Sequence, residues 1–325
     1  EEIAHGVTLL ATGAEELKPK QYLYGNDSRV LTLLELEAEI ARGSQKITQC
    51  SSIVIILCVG SRESERPYCS RVCCSQAIKD ALKLKEINPG MEVYILYRDM
   101  RTYGFKEDYY RAAAEQEVKF IRYEPDSKPQ VEVIQENEQN ILRVSVIDPI
   151  LAQRIMIDTD LLALGVALVP PADNAELSRL FKLPLNEDGF FMEAHMKLRP
   201  VDFATDGVFM CGLAHSPKFI DESIAQAQAA ASRAATILVK DVLYAEGVTA
   251  FINSEACSGC QICMRLCPYY AITFDEERQV AQVEELLCKG CGNCAAACPS
   301  GACSIKNLAN EHILAEIGAL TSGKR

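Results

Sequence analysis

Two runs of four cysteines towards the C-terminal end of the sequence constrain the fold more than any other feature. They read Cys257-x2-Cys260-x2-Cys263-x3-Cys267-Pro268 and Cys288-x2-Cys291-x2-Cys294-x3-Cys298-Pro299. The first three thiolates of a run can bind three irons of one [4Fe–4S] cube, and the fourth ligand of that cube comes from the other run. The spacing therefore predicts two clusters with exchanged fourth ligands.

This exchange gives a specific assignment of ligands. One cluster is expected to bind Cys257, Cys260, Cys263 and Cys298, and the other Cys288, Cys291, Cys294 and Cys267. A disulfide framework fits poorly with a long sequence that opens with no signal peptide. Zinc sites use pairs of C-x2-C knuckles, without a proline after a fourth cysteine. We interpret this region as a bacterial-type two-cluster ferredoxin domain, so we expect the chain to transfer electrons.

Composition excludes several classes of function. The formal net charge is −12, and no basic stripe is present to neutralise phosphates, which argues against nucleic-acid binding. The longest strongly apolar run, residues 53–59, is far shorter than a bilayer span, so we expect no membrane span. Fifteen cysteines without a secretion signal indicate the reducing environment of the cytoplasm.

Strands and helices are predicted to alternate through the middle of the chain. Residues 51–59 form a β-branched apolar run that is typical of a buried parallel strand. Further strands are expected at 92–97, 119–122, 131–135, 141–148 and 160–165, and helices at 75–87, 106–116 and 220–239. This alternation predicts an α/β fold with a parallel sheet.

Two segments carry weak flavin-side patterns. An apolar strand runs into Ala11-Thr12-Gly13, as at the FAD-facing turn of flavoproteins with two dinucleotide domains. A second short strand ends in Cys211-Gly212 and leads into a helix, whose N-terminal N–H groups favour electronegative atoms. A plain strand–helix unit of the core is the alternative. No strand leads into G-x-G-x-x-G, so we expect no NAD(P)H site.

A third cysteine group stands where a nucleotide-binding loop would follow the strand at 51–59. Cys58 ends the strand, and Cys69, Cys73 and Cys74 precede the next helix. Four thiols at a strand end and a helix N-terminus could hold an anionic cluster. Their spacing alone leaves buried free cysteines and a redox disulfide open as alternatives.

Several longer motifs resemble one family, the A subunits of heterodisulfide reductase. They are Cys-Val-Gly-Ser-Arg at 58–62, Tyr-Cys-Ser-Arg-Val-Cys-Cys at 68–74, Leu-Glu-Leu-Glu at 34–37, Gly-Phe-Phe at 189–191 and His-x-Lys-Leu-Arg-Pro-Val-Asp at 195–202. The resemblance covers essentially the whole chain. It implies a C-terminal half, with a partial thioredoxin-reductase-like core of two dinucleotide domains, followed by the ferredoxin domain.

The resemblance also implies site residues. It predicts that a third [4Fe–4S] cluster binds Cys58, Cys69, Cys73 and Cys74, that Lys79 faces the reactive edge of the flavin, and that Glu35 is the acidic companion of Lys79. The residues expected beside FAD are Ala11, Thr12, Gly13, Gly165, Cys211 and Gly212. The turn Ala163-Leu164-Gly165 lacks the usual Thr or Ser before its glycine. FAD binding is expected to depend on the N-terminal half or to be shared with it.

The resemblance divides the chain into five segments. Residues 1–50 and 161–245 are assigned to the FAD domain, 51–160 to a degenerate pyridine-nucleotide-type domain, 246–308 to the ferredoxin domain and 309–325 to a C-terminal helix and tail.

The function so implied is that of an oxidoreductase component that transfers electrons through FAD and iron–sulfur clusters, with flavin-based bifurcation that involves ferredoxin. The expected partners are the B- and C-like subunits of heterodisulfide reductase, a hydrogenase- or flavin-linked donor, and ferredoxin. We also expect a homodimer within a larger complex. The alternative is a non-catalytic iron–sulfur conduit that connects partner subunits without flavin chemistry, and bound FAD discriminates between the two.

Overall fold

The computed structural model describes residues 4–136, 138–242 and 247–322. Two compact units divide this part of the chain: Thr12–Ala172 with Gly212–Ile224 form one, which we call the sheet unit, and the other described residues form the second. Among the described residues, no helix is both long and apolar enough to cross a membrane.

The secondary structure follows the predicted alternation closely. The strands are β1 (Thr8–Leu10), β2 (Glu15–Glu16), β3 (Val30–Thr32), β4 (Ser52–Val59), β5 (Glu92–Tyr97), β6 (Lys119–Arg122), β7 (Gln130–Glu136), β8 (Gln139–Asp148), β9 (Gln153–Thr159), β10 (Leu161–Val166), β11 (Leu168–Val169), β12 (Val208–Met210), β13 (Ala250–Ile252), β14 (Ile272–Asp275), β15 (Val280–Val283) and β16 (Cys303–Ile305). The helices are α1 (Leu33–Arg42), α2 (Gln45–Thr48), α3 (Cys73–Ile87), α4 (Lys106–Glu115), α5 (Asn174–Phe181), α6 (Ile220–Leu238), α7 (Ile262–Leu266), α8 (Asn293–Ala296) and α9 (Asn310–Thr321).

A five-stranded parallel sheet with the order β3-β10-β4-β5-β6 is the centre of the sheet unit. Ile53, Ile55 and Leu57 of β4 pack into one core with α1 and α3. Val54 and Ile56 pack into a second core with residues of β8 and β9. Because both faces of β4 are covered, its sequence is a continuous apolar run rather than an alternating one. The predicted α/β fold is confirmed.

The antiparallel sheet that covers the second face has three strands, whereas the sequence predicted only two. β9 pairs with β8 along its whole length, and β8 pairs with β7. In β9, Arg154 and Met156 are exposed, and Ile157 is its buried apolar side chain. The alternation was therefore too weak to identify the strand.

The expected return to the FAD domain at residue 161 stays a prediction, but the strand that begins there belongs to the same sheet as β4. β10 lies inside the five-stranded sheet, between β3 and β4, and all six of its residues are buried. The sheet unit continues to Ala172. The other end of that expected segment, residue 245, lies outside the described residues, as does the expected basic tail at 323–325.

The second unit contains a short parallel pair, β1 with β12, and the segment that carries the two cysteine runs. That segment has two antiparallel pairs, β13 with β16 and β14 with β15. The short helices α7 and α8 each contain the third cysteine of one run, Cys263 and Cys294. Predicted helix 309–325 corresponds to α9.

Helices α1 and α3 place three charged side chains together in the sheet unit. Thr32 and Glu35 form a capping box at the start of α1, which fixes that helix end. Lys79 of α3 forms ion pairs with Glu37 of α1 and, at 3.5 Å, with Asp80. Asp80 is 1% exposed, and its Oδ2 is buried without a hydrogen-bond partner.

Burial raises the pKa of Asp80 from its ordinary value of 3.8 to about 7; the charge of Lys79 opposes this shift, and that of Glu37 adds to it. Between these two pH values the folded chain keeps a proton that the unfolded chain has released. Raising the pH through this window therefore lowers the free energy of unfolding, by about 1.4 kcal/mol per pH unit at most.

We expect Asp80→Asn to remove this pH dependence, because an amide of the same shape is neutral on both sides of the window. Denaturant unfolding under anaerobic conditions at about pH 5.5 and about pH 8 measures it. The variant should gain stability relative to wild type at the higher pH. Asp108→Asn, at an exposed position in the first turn of α4, is the matched control. Equal pH dependence in all three proteins would contradict a protonated Asp80.

Candidate functional site

The two cysteine runs come together in crossed sets of four. One small cavity is lined by Cys257, Cys260, Cys263 and Cys298, and another by Cys267, Cys288, Cys291 and Cys294. The last cysteine of each run thus lies beside the first three of the other, in agreement with the spacing. The residues present fit two cubes, although ligation itself stays a prediction.

Backbone groups around one crossed set are oriented towards sulfur. The N–H of Ala250 donates to Cys288 Sγ at 3.2 Å, and the N–H of Ala271 donates to Cys267 Sγ at 3.3 Å. Such bonds stabilise the thiolate form that binds iron.

A pair of glycines makes the tight turns of the two runs possible. Gly259 and Gly290 each directly precede the second cysteine of a run and have φ values of 68° and 61°, which favour glycine. A Cβ at Gly259 would stand 2.7 Å from the carbonyl oxygen of Gln279, and one at Gly290 would meet that of Val248. The glycine repeated directly before Cys260 and Cys291 is the sequence signal for these residues, and it was not among the predicted features.

The third cysteine group is also brought together, in the sheet unit. Cys58 is the penultimate residue of β4, Cys69 lies on the following loop, and Cys73 and Cys74 begin α3. Burial raises the pKa of Cys58 to about 11, and the charges of Cys74 and Cys69 add to the shift. A hydrogen bond between Cys73 and Cys74 raises the pKa of Cys73 and lowers that of Cys74. We call these four residues the cysteine cage.

The backbone around the cysteine cage adopts a conformation that most residues avoid. Cys58, Arg62 and Arg71 have φ values of 62°, 58° and 62°, and Gly60 has 72°. Each non-glycine residue in this region costs about 1–2 kcal/mol. Left-handed residues next to right-handed ones direct N–H groups into an anion-binding concavity. One such group, the N–H of Arg71, donates to Cys69 Sγ at 3.3 Å.

A cube and a single metal ion need different arrangements of their ligands. In the part of the chain that the structure describes, no three His, Cys, Asp or Glu side chains converge closely enough to hold one metal ion. A [4Fe–4S] cube carries its four thiolates on four separate irons, so its ligands lie farther apart.

The acidic partner of Lys79 is Glu37 and not Glu35. Glu35 caps α1, accepts a hydrogen bond from Tyr24 Oη at 2.7 Å and pairs with Lys18 at 3.3 Å. Its place in the first turn of α1 commits its carboxylate to the helix end, whereas Glu37 lies two residues further on and reaches α3. The sequence motif contained both glutamates, and only the packing of α1 on α3 distinguishes them.

Lys79 and Asp80 line an open groove of about 1080 Å³ between α1, α3 and α4. The surface that lines it is mainly apolar, and the side chain of Lys79 is 62% exposed. Two hydroxyl oxygens along it, those of Ser75 and Thr102, are buried without a hydrogen-bond partner. The groove therefore offers a cation and several unused polar atoms to a ligand or a chain segment.

The expected flavin-side residues do not lie in one unit. Ala11 and Cys211 follow the paired strands β1 and β12, and the N–H of Cys211 donates to the carbonyl of Leu10 at 3.1 Å. Thr12, Gly13 and Gly212 belong to the sheet unit. The structure brings Ala11 and Cys211 to the same end of one strand pair, and their role towards a flavin stays a prediction.

Gly165 is not part of an open turn, which the sequence had led us to expect. It lies within β10, where a Cβ would stand 2.7 Å from Leu57 Cδ2 and 3.4 Å from Leu33 Cδ1. Packing of these side chains occupies the space beside the glycine. The physical need for glycine here is close packing, so the missing Thr or Ser before it needs no explanation through a flavin.

Comparison with known proteins agrees with the cysteine patterns. Residues 256–302 match the family model described as a 4Fe-4S dicluster domain. The chain is 40% identical over 330 residues to the iron–sulfur A subunit of CoB–CoM heterodisulfide reductase from Methanocaldococcus jannaschii, a match that covers 96% of this chain and 50% of the relative. It is 42% identical over 291 residues to the A subunit of the H(2):CoB-CoM heterodisulfide,ferredoxin reductase of Methanothermobacter marburgensis, with 85% and 43% covered.

Among solved structures, the chain is similar to thioredoxin reductase of Lactococcus lactis, with a TM-score of 0.47 and 21% identity over 72% of this chain and 66% of that one. The curated relatives extend well beyond the matched region, since the chain spans about half the length of those it matches. The chain belongs to the family of heterodisulfide reductase A subunits.

Proposed function

We propose that this chain is the iron–sulfur electron-transfer part of an FAD-containing subunit in a heterodisulfide-reductase-like complex, and that it is an oxidoreductase component. The observation that carries the proposal is the grouping of twelve cysteines into three sets of four, one in the sheet unit and two in the ferredoxin domain. Three sets of thiols in one chain serve the passage of single electrons, which is the chemistry that bound [4Fe–4S] clusters supply.

The side chains and N–H groups of this chain would bind the clusters and stabilise their charge, and would not react themselves. Cysteine thiolates would hold each cube, and N–H donors such as that of Ala250 would stabilise the negative charge on sulfur. The cysteine cage lies at the end of a strand that is buried on both faces, so its first thiol is fixed in position. A rigid ligand set favours electron transfer because little must rearrange when the charge changes.

We further propose that Lys79 acts at the flavin edge and that Glu37 keeps it charged. Its ammonium group lies on an open groove, with Glu37 on one side and Asp80 on the other. A cation there would stabilise the anionic reduced form of FAD and could exchange a proton with a carboxylate. Flavin-based bifurcation with ferredoxin as one acceptor agrees with the name of the M. marburgensis relative. The partners proposed are B- and C-like subunits and a hydrogenase- or flavin-linked donor.

The second candidate is an iron–sulfur conduit without flavin chemistry. The packing around Gly165 favours it, because one of the expected flavin contacts is filled by Leu57. Flavin content of the full-length protein separates the two: bound FAD supports the first proposal, and its absence supports the conduit.

The first test is the iron content of the chain after anaerobic reconstitution with iron and sulfide. We expect about twelve irons per chain, because three cubes carry four each. Cys58→Ser should lower the content to about eight and leave the ferredoxin EPR signals intact, since that domain has its own ligands.

Cys50→Ser is the matched control for this measurement. Cys50 is buried just before β4, with its Sγ 3.2 Å from the carbonyl of Ser52, and belongs to none of the three sets. The Cys50→Ser protein should keep about twelve irons. Wild type with about eight irons and a cysteine cage open to alkylation would reject the third cluster.

The second test concerns Lys79 in the full-length protein with bound FAD. We expect Lys79→Ala to leave FAD content near that of wild type and to change the gap between the two one-electron potentials of the flavin. Loss of the nearby cation removes its stabilisation of the anionic form. A spectroscopic redox titration measures both potentials.

Lys83→Ala serves as the control, because Lys83 lines the same groove one turn further along α3 and pairs with Glu86 at 2.9 Å. It should leave the flavin potentials unchanged. If Lys79→Ala behaves as Lys83→Ala does, Lys79 is an ordinary surface lysine.

A further inference from the structure

Arg62 has an unused donor beside the cysteine cage. It follows Cys58 by four residues, on the loop that leaves β4, and its side chain is 19% exposed. Its Nη2 donates to Asp99 Oδ2 at 2.6 Å. Its Nη1 is buried and makes no hydrogen bond of ordinary geometry. Asp99 thus holds Nη2 of the guanidinium, and the buried Nη1 has no acceptor.

The Arg62 side chain lies near the cage sulfurs. It contacts the side chain of Cys58. Asp99, which holds Nη2, also offers its carbonyl oxygen to Cys74 Sγ at 3.8 Å. The guanidinium therefore lies between a carboxylate that fixes it and the thiols at the end of β4 and the start of α3.

Two hydrogen bonds of its main chain hold Arg62 in position beside the cysteine cage. Its N–H donates to the carbonyl of Tyr68 at 3.0 Å, and its own carbonyl accepts from Arg98 Nη1 at 2.9 Å. Arg98 Nε is likewise buried without a partner. A buried donor left without an acceptor loses its hydrogen bond to water without replacement, which destabilises the fold. Such a cost is tolerated where a bound group supplies the acceptor, and the sulfur atoms of a cluster are acceptors.

We propose that Arg62 donates a hydrogen bond through Nη1 to the sulfur of the cluster held by the cysteine cage, and that its charge raises the midpoint potential of this cluster. The proposal rests on the third cluster of the proposed function. Reduction adds one electron to the cluster, with no bond broken and no proton taken up, and a fixed cation stabilises the added negative charge. Arg62 is thus a positioning and tuning residue that binds no iron.

The test is an EPR-monitored redox titration of the full chain after anaerobic reconstitution, with wild type compared with Arg62→Gln. The cage signal is identified by its loss in Cys58→Ser. At a fixed ambient potential we expect the reduced-to-oxidised ratio of this cluster to fall about tenfold, which is a shift of about 59 mV to lower potential for a one-electron couple. The two ferredoxin clusters should keep their potentials.

Two further variants keep the result interpretable. Arg66→Gln is the matched control, because Arg66 lies on the same loop but directs its guanidinium to Glu65 at 3.5 Å, and it should not shift the potential. Arg62→Lys retains the charge without the planar fork and should give a smaller shift than Arg62→Gln. If the Arg62→Gln protein fails to assemble the cluster, the potential measured for the Arg62→Lys protein provides the test.

The outcomes separate this proposal from the one on which it rests. About twelve irons with an unchanged cage potential in both Arg62 variants overturns the role of Arg62 and leaves the third cluster standing. An equal shift in all three clusters also overturns it, because the effect would then not be local. About eight irons in wild type overturns the cluster and the tuning residue together.

Discussion

Burial of β4 on both faces is the constraint on which the sheet unit depends. Its side chains divide between a helical layer and an antiparallel sheet, so the strand cannot shift along its neighbours without exposing apolar surface. Cys58 at its end is therefore held by the core itself. The start of α3 is fixed by the same core, since Ala77 and Ile78 pack within it. The positions of the remaining cage thiols therefore follow from β4 and α3.

The two kinds of cysteine site are stabilised in different ways. The cysteine cage depends on a large apolar core and on a loop whose residues adopt left-handed backbone, with Tyr68 and Ser70 tied to β11 through Leu168. The ferredoxin domain has short strands and helices of four or five residues, and its cysteines are among the residues that form its small core. Metal binding is expected to contribute much of the folding free energy of the second kind of site and little of the first.

Local patterns predicted most of the fold and the cysteine sets. The strand at 92–97 and the helix after Cys74 follow from continuous apolar runs and from the breaker Asn88-Pro89-Gly90, which act within a few residues. The structure differs from the expectations where long-range packing decides. β9 exposes four of its seven residues, Gly165 is needed because Leu57 lies against it, and the choice between Glu35 and Glu37 depends on how α1 meets α3. Arg62 ends the Cys-Val-Gly-Ser-Arg motif, but the motif indicates no role for it, because only the fold shows which of its atoms lacks a partner.

The crossing of the two cysteine runs has a consequence for how this domain can change over evolutionary time. The last thiol of each run lines the cavity of the other run's set, so deleting either half would leave the other set with three thiols instead of four. Gly259 and Gly290 impose the same restriction on both halves, since neither tolerates a side chain. Loss of one whole run would therefore affect both sets, so the two halves of the domain are expected to change together.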